Sequence, residues 1–353
     1  MIPPPRADVA LMDGYHSPQV GVAVRLNTNE APVAPPPAFV EAVRSRVDEV
    51  RWHRYPDRGA ARLRARIAGH HGVRPEMVFA ANGSNEVLQT LCLAYGGPGR
   101  SVVVFEPTYA LHSHIARVTG TGVTAADRCD DFTIDPARLT EAVTAAAPAI
   151  TFLCSPNNPT GTVDPPEVLA AALDSAPGLV VLDEAYGQFS PQSAIDQVTA
   201  GGALVVVRTF SKTWSMAAAR LRYCVAAPEV VETLDKVVLP YHLDAVKQAA
   251  GEVALDFEDE MRGRVAGLVE ERGRVAAALS DLPVDTWPSG ANFILFRPRA
   301  RDGREVWQGL LDRSVLVRDC SSWPGLDGCL RVTIGTADED DTFLTALQEV
   351  LTG

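Results

Sequence analysis

Lysine is scarce in this chain: it stands at 212, 236 and 247, three against 29 arginines. A guanidinium stays protonated and cannot form an imine, whereas an amine can lose its proton and attack an aldehyde. Lys236 and Lys247 fall in segments of helical spacing that can leave an amine in water. Lys212 instead lies among hydroxyl residues, in Arg208-Thr209-Phe210-Ser211-Lys212-Thr213-Trp214, directly after the apolar run 203–207. Such a run reads as a buried strand entering a polar loop. A lysine that merely closes a strand end would give the same letters, so its neighbours have to decide.

Other apolar runs also end in polar clusters. Residues 101–105 lead to Glu106-Pro107-Thr108-Tyr109, and 149–153 lead to Ser155-Pro156-Asn157-Asn158-Pro159-Thr160-Gly161. Residues 179–182 lead to Asp183-Glu184-Ala185-Tyr186. Asn82-Gly83-Ser84-Asn85-Glu86 reads as a helix start, whose free N–H groups and positive dipole end suit an anion, although simple capping explains the same residues. Asp183 at the end of an apolar strand calls for a cationic or donor partner. Together these clusters offer an amine, a carboxylate, a phenol, an amide, a flat aromatic (Tyr109), an anion cradle and a second cation (Arg220).

The elements that must position them alternate in type. Nearly all-apolar runs separated by helical segments predict an α/β fold with a mainly parallel sheet, and ligands of such sheets bind at the carboxyl ends of the strands. A Pro-rich segment, 1–38, reads as an N-terminal arm. It contains Arg25-Leu26-Asn27-Thr28-Asn29-Glu30, a short strand running into a polar turn. Residues 39–245 read as the large domain and 246–353 as a smaller α+β domain. The latter has a long charged helix at about 246–280, strands at 292–296, 315–318 and 330–334, and a final helix from about 338.

With 353 residues, 46% of them apolar, the chain is long enough for two domains. A balance of 32 basic and 44 acidic side chains, −12 in all, argues against nucleic-acid and anionic-membrane partners. No apolar stretch approaches the ~18 residues of a spanning helix. Six cysteines without CxxC spacing read as reduced thiols, and the expected compartment is the cytoplasm. No metal site is expected, since His112 and His114, two apart, face differently on a helix.

The ordered motifs Asn158-Pro159-Thr160-Gly161, Asp183-Glu184-Ala185-Tyr186 and Ser211-Lys212, followed by Arg220, resemble those of the fold-type I aminotransferases of class I/II. The resemblance covers nearly the whole chain. It implies the pyridoxal 5'-phosphate (PLP) transferase fold, with Lys212 holding the cofactor as a Schiff base and Asp183 pairing with the pyridinium. Tyr186 and Asn158 would bond the ring oxygen and Tyr109 would stack on the ring. Ser84, Asn85, Thr209, Ser211 and Arg220 would hold the phosphate. Tyr55, before Pro56, matches a tyrosine that reaches the phosphate from the neighbouring subunit, implying a homodimer with shared active sites.

Within that family the layout Val317-Arg318-Asp319 … Leu330-Arg331-Val332-Thr333, with Gly14-Tyr15 and 26–30, is similar to the histidinol-phosphate aminotransferases. Arg331 would then clamp the substrate carboxylate or phosphate, Arg318 and Tyr15 would add phosphate contacts, and Asn29 would join the substrate site. A 2-oxo acid such as 2-oxoglutarate would be the acceptor. An aminotransferase for aromatic amino acids and a phosphothreonine decarboxylase are the alternatives. Ala31, Ala218, Ala219 and Arg222 depart from the usual pattern, and Arg222 adds bulk and charge that the sequence places near the phosphate arginine.

Overall fold

The computed structural model describes residues 2–10, 12 and 20–353. A two-residue strand, β1 (Val24–Arg25), precedes a seven-stranded sheet. That sheet is built from β2 (Val78–Asn82), β3 (Ser101–Glu106), β4 (Gly122–Asp127), β5 (Ile150–Cys154), β6 (Leu179–Asp183), β7 (Leu204–Thr209) and β8 (Leu221–Val225). The order is β2-β8-β7-β6-β5-β3-β4, with β8 antiparallel to both neighbours and the other pairs parallel.

The unbroken apolar runs follow from burial of both faces. Leu204 and Val206 enter one core with Val180 and Leu182, while Val205 and Val207 enter another with Val181 and Phe152. Removing a side chain of this size from water is worth about 1.5–3 kcal/mol. A polar residue at any of these positions would lose that gain, which is why the polar letters gather where the strands stop. β5, β6 and β7 stop at Cys154, Asp183 and Thr209 on one edge. Because β8 runs the other way, its early residue Arg222 lies at the same edge, directly opposite Thr209.

The C-terminal part forms a second sheet. Its strands are β9 (Val284–Thr286), β10 (Phe293–Pro298), β12 (Arg318–Asp319) and β13 (Leu330–Thr333), ordered β12-β13-β10-β9 and antiparallel throughout. The run 315–318, read above as one strand, divides. Its first half, β11 (Val315–Leu316), pairs in parallel with β1. Between the halves, the Val317 carbonyl accepts from Trp307 Nε1 at 2.9 Å.

Part of the N-terminal segment is therefore stitched into this unit. Leu26 N donates to Leu316 O at 2.8 Å, Thr333 N donates to Leu26 O at 2.9 Å, and Val24 and Leu26 join the core of Phe296, Leu330 and Phe343. The charged stretch 246–280 is two helices, Ala245–Ala254 and Glu258–Ser280, broken by a tight turn that brings Phe257 edge-on to Phe39 at 5.8 Å. No described helix is long and apolar enough to cross a membrane.

Candidate active site

The carboxyl edge of the large sheet, the segment after β1 and the β12–β13 ladder enclose a cavity of about 470 Å³. Asp183, Tyr186, Asn158 and Lys212 all line it, from three different strand ends. Sequence reading expected Asp183 to need a cationic partner, and the structure supplies one from the chain itself. Asp183 is 1% exposed and its Oδ1 accepts from Arg222 Nη2 and, at 3.0 Å, from Ala185 N. His112 Nε2 lies 3.3 Å from Oδ2, its ring stacked on Phe152 at 4.8 Å. Burial alone would push this carboxyl up, but the guanidinium and then the imidazole outweigh it and hold Asp183 below the usual carboxylate range. Arg222, which lines the cavity with Arg220, thus pairs with Asp183, a partner the sequence reading did not give it.

Lys212 Nζ donates to Thr28 O at 3.0 Å and lies 5.9 Å from the centre of the Tyr186 ring. Burial lowers its pKa to about 7, with Arg331, Arg220 and Arg222 adding to the fall and Glu30 opposing it. An arginine here could not respond in that way. Tyr186 is pushed up to about 12 by burial, so it stays a neutral phenol. Its hydroxyl accepts from Asn29 Nδ2 at 2.9 Å, and its ring meets Phe293 edge-on at 5.1 Å. Asn29 takes a left-handed conformation, φ 54°, and its N donates to Thr333 Oγ1 at 3.0 Å. Asn29 lines the cavity and also carries the phenol.

At the other end, the helix Gly83–Tyr95 brings Asn85, in its first turn, to the cavity wall. Gly83 has φ 66°, which favours glycine, and a Cβ there would sit 2.7 Å from Arg220 Nη2 and push the guanidinium aside. Arg220, itself at φ 52°, lines the cavity together with Asn85, Thr209 and Ser211. Thr209 Oγ1 accepts from Ser211 N at 3.0 Å, which folds the loop after β7 inward. Ser211 Oγ is buried with no partner among the described residues. Tyr109 also lines the cavity, its ring edge-on to His112 at 5.4 Å.

Arg331 and Arg318 line the third side. Arg331 is buried, with Nη1 donating to Asn158 Oδ1 and Nη2 to Asn27 O at 3.0 Å, and it lies 5.0 Å over the Phe293 ring. Arg318 lies 5.3 Å over Trp323, whose Nε1 donates to Thr108 O at 3.0 Å.

One of the expected residues falls elsewhere. Tyr55 is 80% exposed, stacked on Tyr241 at 4.5 Å, and does not line the cavity. Tyr15 and the Ser84 side chain lie outside the described residues. Among the described residues, no group of His, Cys, Asp and Glu side chains is placed to hold a metal ion.

Sequence reasoning missed His112, Trp323 and the pairing of Arg222. For His112 a signal existed: it follows Tyr109 by three residues, and the turn between them, with His112 N donating to Tyr109 O at 2.9 Å, brings the two rings together. For Trp323 the local sequence gives no hint, because its partner Thr108 lies 215 positions away.

Comparison with known proteins agrees with this geometry. The family model for aminotransferase class I and II matches residues 22–347. A histidinol-phosphate aminotransferase of Frankia casuarinae is 45% identical over 99% of this chain and 91% of its own length. One from Mycobacterium sp. (strain JLS) is 46% identical over 97% and 93%. In fold, the chain is similar to the histidinol-phosphate aminotransferase of Sinorhizobium meliloti, solved with pyridoxal-5'-phosphate. The TM-score is 0.89 at 24% identity, covering 98% of this chain and 97% of that one. This chain belongs to the class I and II aminotransferases.

Proposed function

We propose that this protein is a PLP-dependent aminotransferase that moves the amino group of histidinol phosphate to 2-oxoglutarate. One observation carries the substrate: Arg318 and Arg331 are direct partners in the β12–β13 ladder, and both line the cavity that holds Lys212. Two like charges placed opposite each other repel, and an anion with more than one charge, a phosphate monoester, relieves that repulsion. The 45–46% identity to enzymes named for histidinol phosphate supports the same choice.

The residues present fit the cofactor. The Ser211 hydroxyl lacks a partner among the described residues, and Gly83 leaves room for Arg220 at a helix N-terminus, so together they form a phosphate cradle. Asp183 is a buried carboxylate, and Lys212 is an amine that titrates near neutrality. Lys212 would hold the aldehyde carbon, Asp183 the ring nitrogen, and Tyr186 and Asn158 the ring oxygen. Tyr109 would cover the ring, and Ser84, Asn85, Thr209, Ser211 and Arg220 would hold the phosphate.

When bound, pyridoxal phosphate supplies an electron-withdrawing ring that acidifies the carbon bearing the amino group. The chain's residues do the rest. Lys212 Nζ, poised near pH 7, can take a proton from that carbon and return one. Asp183 stays ionised because Arg222 and His112 flank it. Asn29 fixes the Tyr186 hydroxyl as an acceptor, leaving its proton free to donate into the cavity. Arg331, fixed by Asn158 and Asn27, holds the phosphate of the donor or a carboxylate of the acceptor with its planar fork. Arg318 and Tyr15 would take the remaining phosphate charge.

The working unit in this reading is a cytoplasmic homodimer, with Tyr55 reaching the partner's phosphate site. Trp52, Tyr55, Leu239 and Tyr241 are all exposed in the single chain, which supports an apolar face to be covered. Residues 39–245 would form the cofactor-binding domain, 246–353 the smaller domain and 1–38 the arm.

The test is a panel of half-reactions followed by the absorbance of the bound cofactor, with histidinol phosphate, phenylalanine, tyrosine and phosphothreonine each added alone. Rapid amino transfer from histidinol phosphate is expected. Transfer from an aromatic amino acid with none from histidinol phosphate would replace this substrate, and carbon dioxide release from phosphothreonine would replace the reaction.

A further inference from the structure

The Asp183 carboxylate has more partners than a ring-nitrogen acceptor requires. Oδ1 is taken by Arg222 and by Ala185 N, while Oδ2 faces His112 at 3.3 Å and keeps one acceptor position open. Arg222 is 0% exposed, reaches Asp183 past β7, and leaves Nε and Nη1 with no partner among the described residues. An ion pair kept for stability alone would have those donors satisfied, because a buried pair repays its desolvation only when its remaining hydrogen bonds are made. Arg222 also borders the cavity, so its charge lies close to whatever occupies it.

The other titratable groups around Asp183 leave Arg222 in control. From β5, the Cys154 thiol is pushed up to about 12 by burial, and from the loop after β6 the Tyr186 phenol is likewise pushed up to about 12, so both are neutral. From the helix Leu111–Val118 comes His112, whose Nδ1 has no partner among the described residues. From the loop after β7 comes Lys212, whose amine Arg222 helps to keep near neutrality. Arg222 is therefore the one group in contact with Asp183 that is charged at every working pH.

We propose that Arg222 is a positioning residue that fixes the Asp183 carboxylate and offsets its charge, so that a pyridine nitrogen seated against Asp183 holds its proton more weakly than it would beside an uncompensated aspartate. This rests on the PLP reading of the site. The ring nitrogen and Asp183 would share one proton as a coupled pair, and a fixed cation on the far oxygen lowers the affinity of that pair for it. A small residue at 222 would leave Asp183 to His112 and the Ala185 N–H, with no fixed cation.

The test uses holoenzyme loaded with PLP carrying nitrogen-15 in the ring, with the nitrogen chemical shift followed against pH. Arg222→Gln and Arg222→Met remove the charge while keeping most of the volume, so one serves if the other does not fold. Arg222→Lys keeps the charge. Compared with wild type, the neutral variants should hold the ring proton to a pH about 1–3 units higher, and the lysine variant should stay near the wild-type midpoint. Equal midpoints in wild type and a neutral variant, or a shift the other way, would overturn the inference while leaving the cofactor reading intact. If borohydride fixes no pyridoxyl group on Lys212 of the wild type, the cofactor reading and this inference both fall.

Discussion

Arg318 and Arg331 leave the β12–β13 ladder on the same face, directly opposite each other, yet their surroundings differ. Arg331 is buried and held by Asn158 and Asn27, while Arg318 is half-buried over the Trp323 ring. The two should therefore fail differently.

Arg331→Lys should lower kcat/KM in both half-reactions, roughly 10- to 100-fold, as expected for loss of one charge-assisted bond worth about 1.5–3 kcal/mol. Arg318→Met should cause a comparable loss with the phosphorylated donor and much less with 2-oxoglutarate. Steady-state kinetics with each substrate varied in turn distinguishes the two. Equal losses for both substrates at Arg318 would remove its role in reading the second charge.

The pKa of Lys212, lowered by burial to about 7, makes a prediction for the cofactor-free protein. In the unfolded chain this amine binds its proton up to its ordinary value near 10.5, so between about 7 and 10.5 the unfolded state holds more protons. Stability must then rise with pH across that window, by at most a few kcal/mol at ~1.4 kcal/mol per unit. Urea unfolding of wild type and Lys212→Met from pH 6 to pH 10 reads it. The methionine variant should be the more stable below pH 7, and its advantage should shrink towards pH 10. A pH-independent difference would mean the amine titrates normally.

Tyr186→Phe removes the hydroxyl that Asn29 Nδ2 serves at 2.9 Å. The fold should survive, at a cost of about 1 kcal/mol for the unmade bond, while kcat falls roughly 10-fold and the absorbance of the bound cofactor shifts. Unchanged absorbance in the phenylalanine variant would place the ring oxygen away from Tyr186.

Tyr55 offers a test of shared sites. Lys212→Ala and Tyr55→Ala homodimers should each be impaired. A hybrid of the two should regain one intact site, with Lys212 from one protomer and Tyr55 from the other. Activity that stays at the average of the two parents after mixing and refolding would confine Tyr55 to its own subunit.

The strands that carry the site could be read from the sequence because burial of both faces writes them as apolar runs, and Asp183 and Thr209 stand where those runs stop. β8 was hidden: Leu221-Arg222-Tyr223 breaks its apolar pattern with a charge, and that charge is tolerated only because Asp183 neutralises it two strands away. The joining of Val24 and Leu26 to the C-terminal unit was hidden for a related reason, since their partners Ser314 and Leu316 lie 290 residues along the chain. His112 could be placed one turn after Tyr109, but its function comes from the approach of β6, which no local pattern records.

The most direct measurement is borohydride reduction of the purified protein followed by peptide mapping. A single pyridoxyl group on Lys212 is expected, absent from Lys212→Arg. A protein that takes up no pyridoxyl group, or takes it up at Lys236 or Lys247 instead, would contradict the assignment of Lys212 and of the cavity around it.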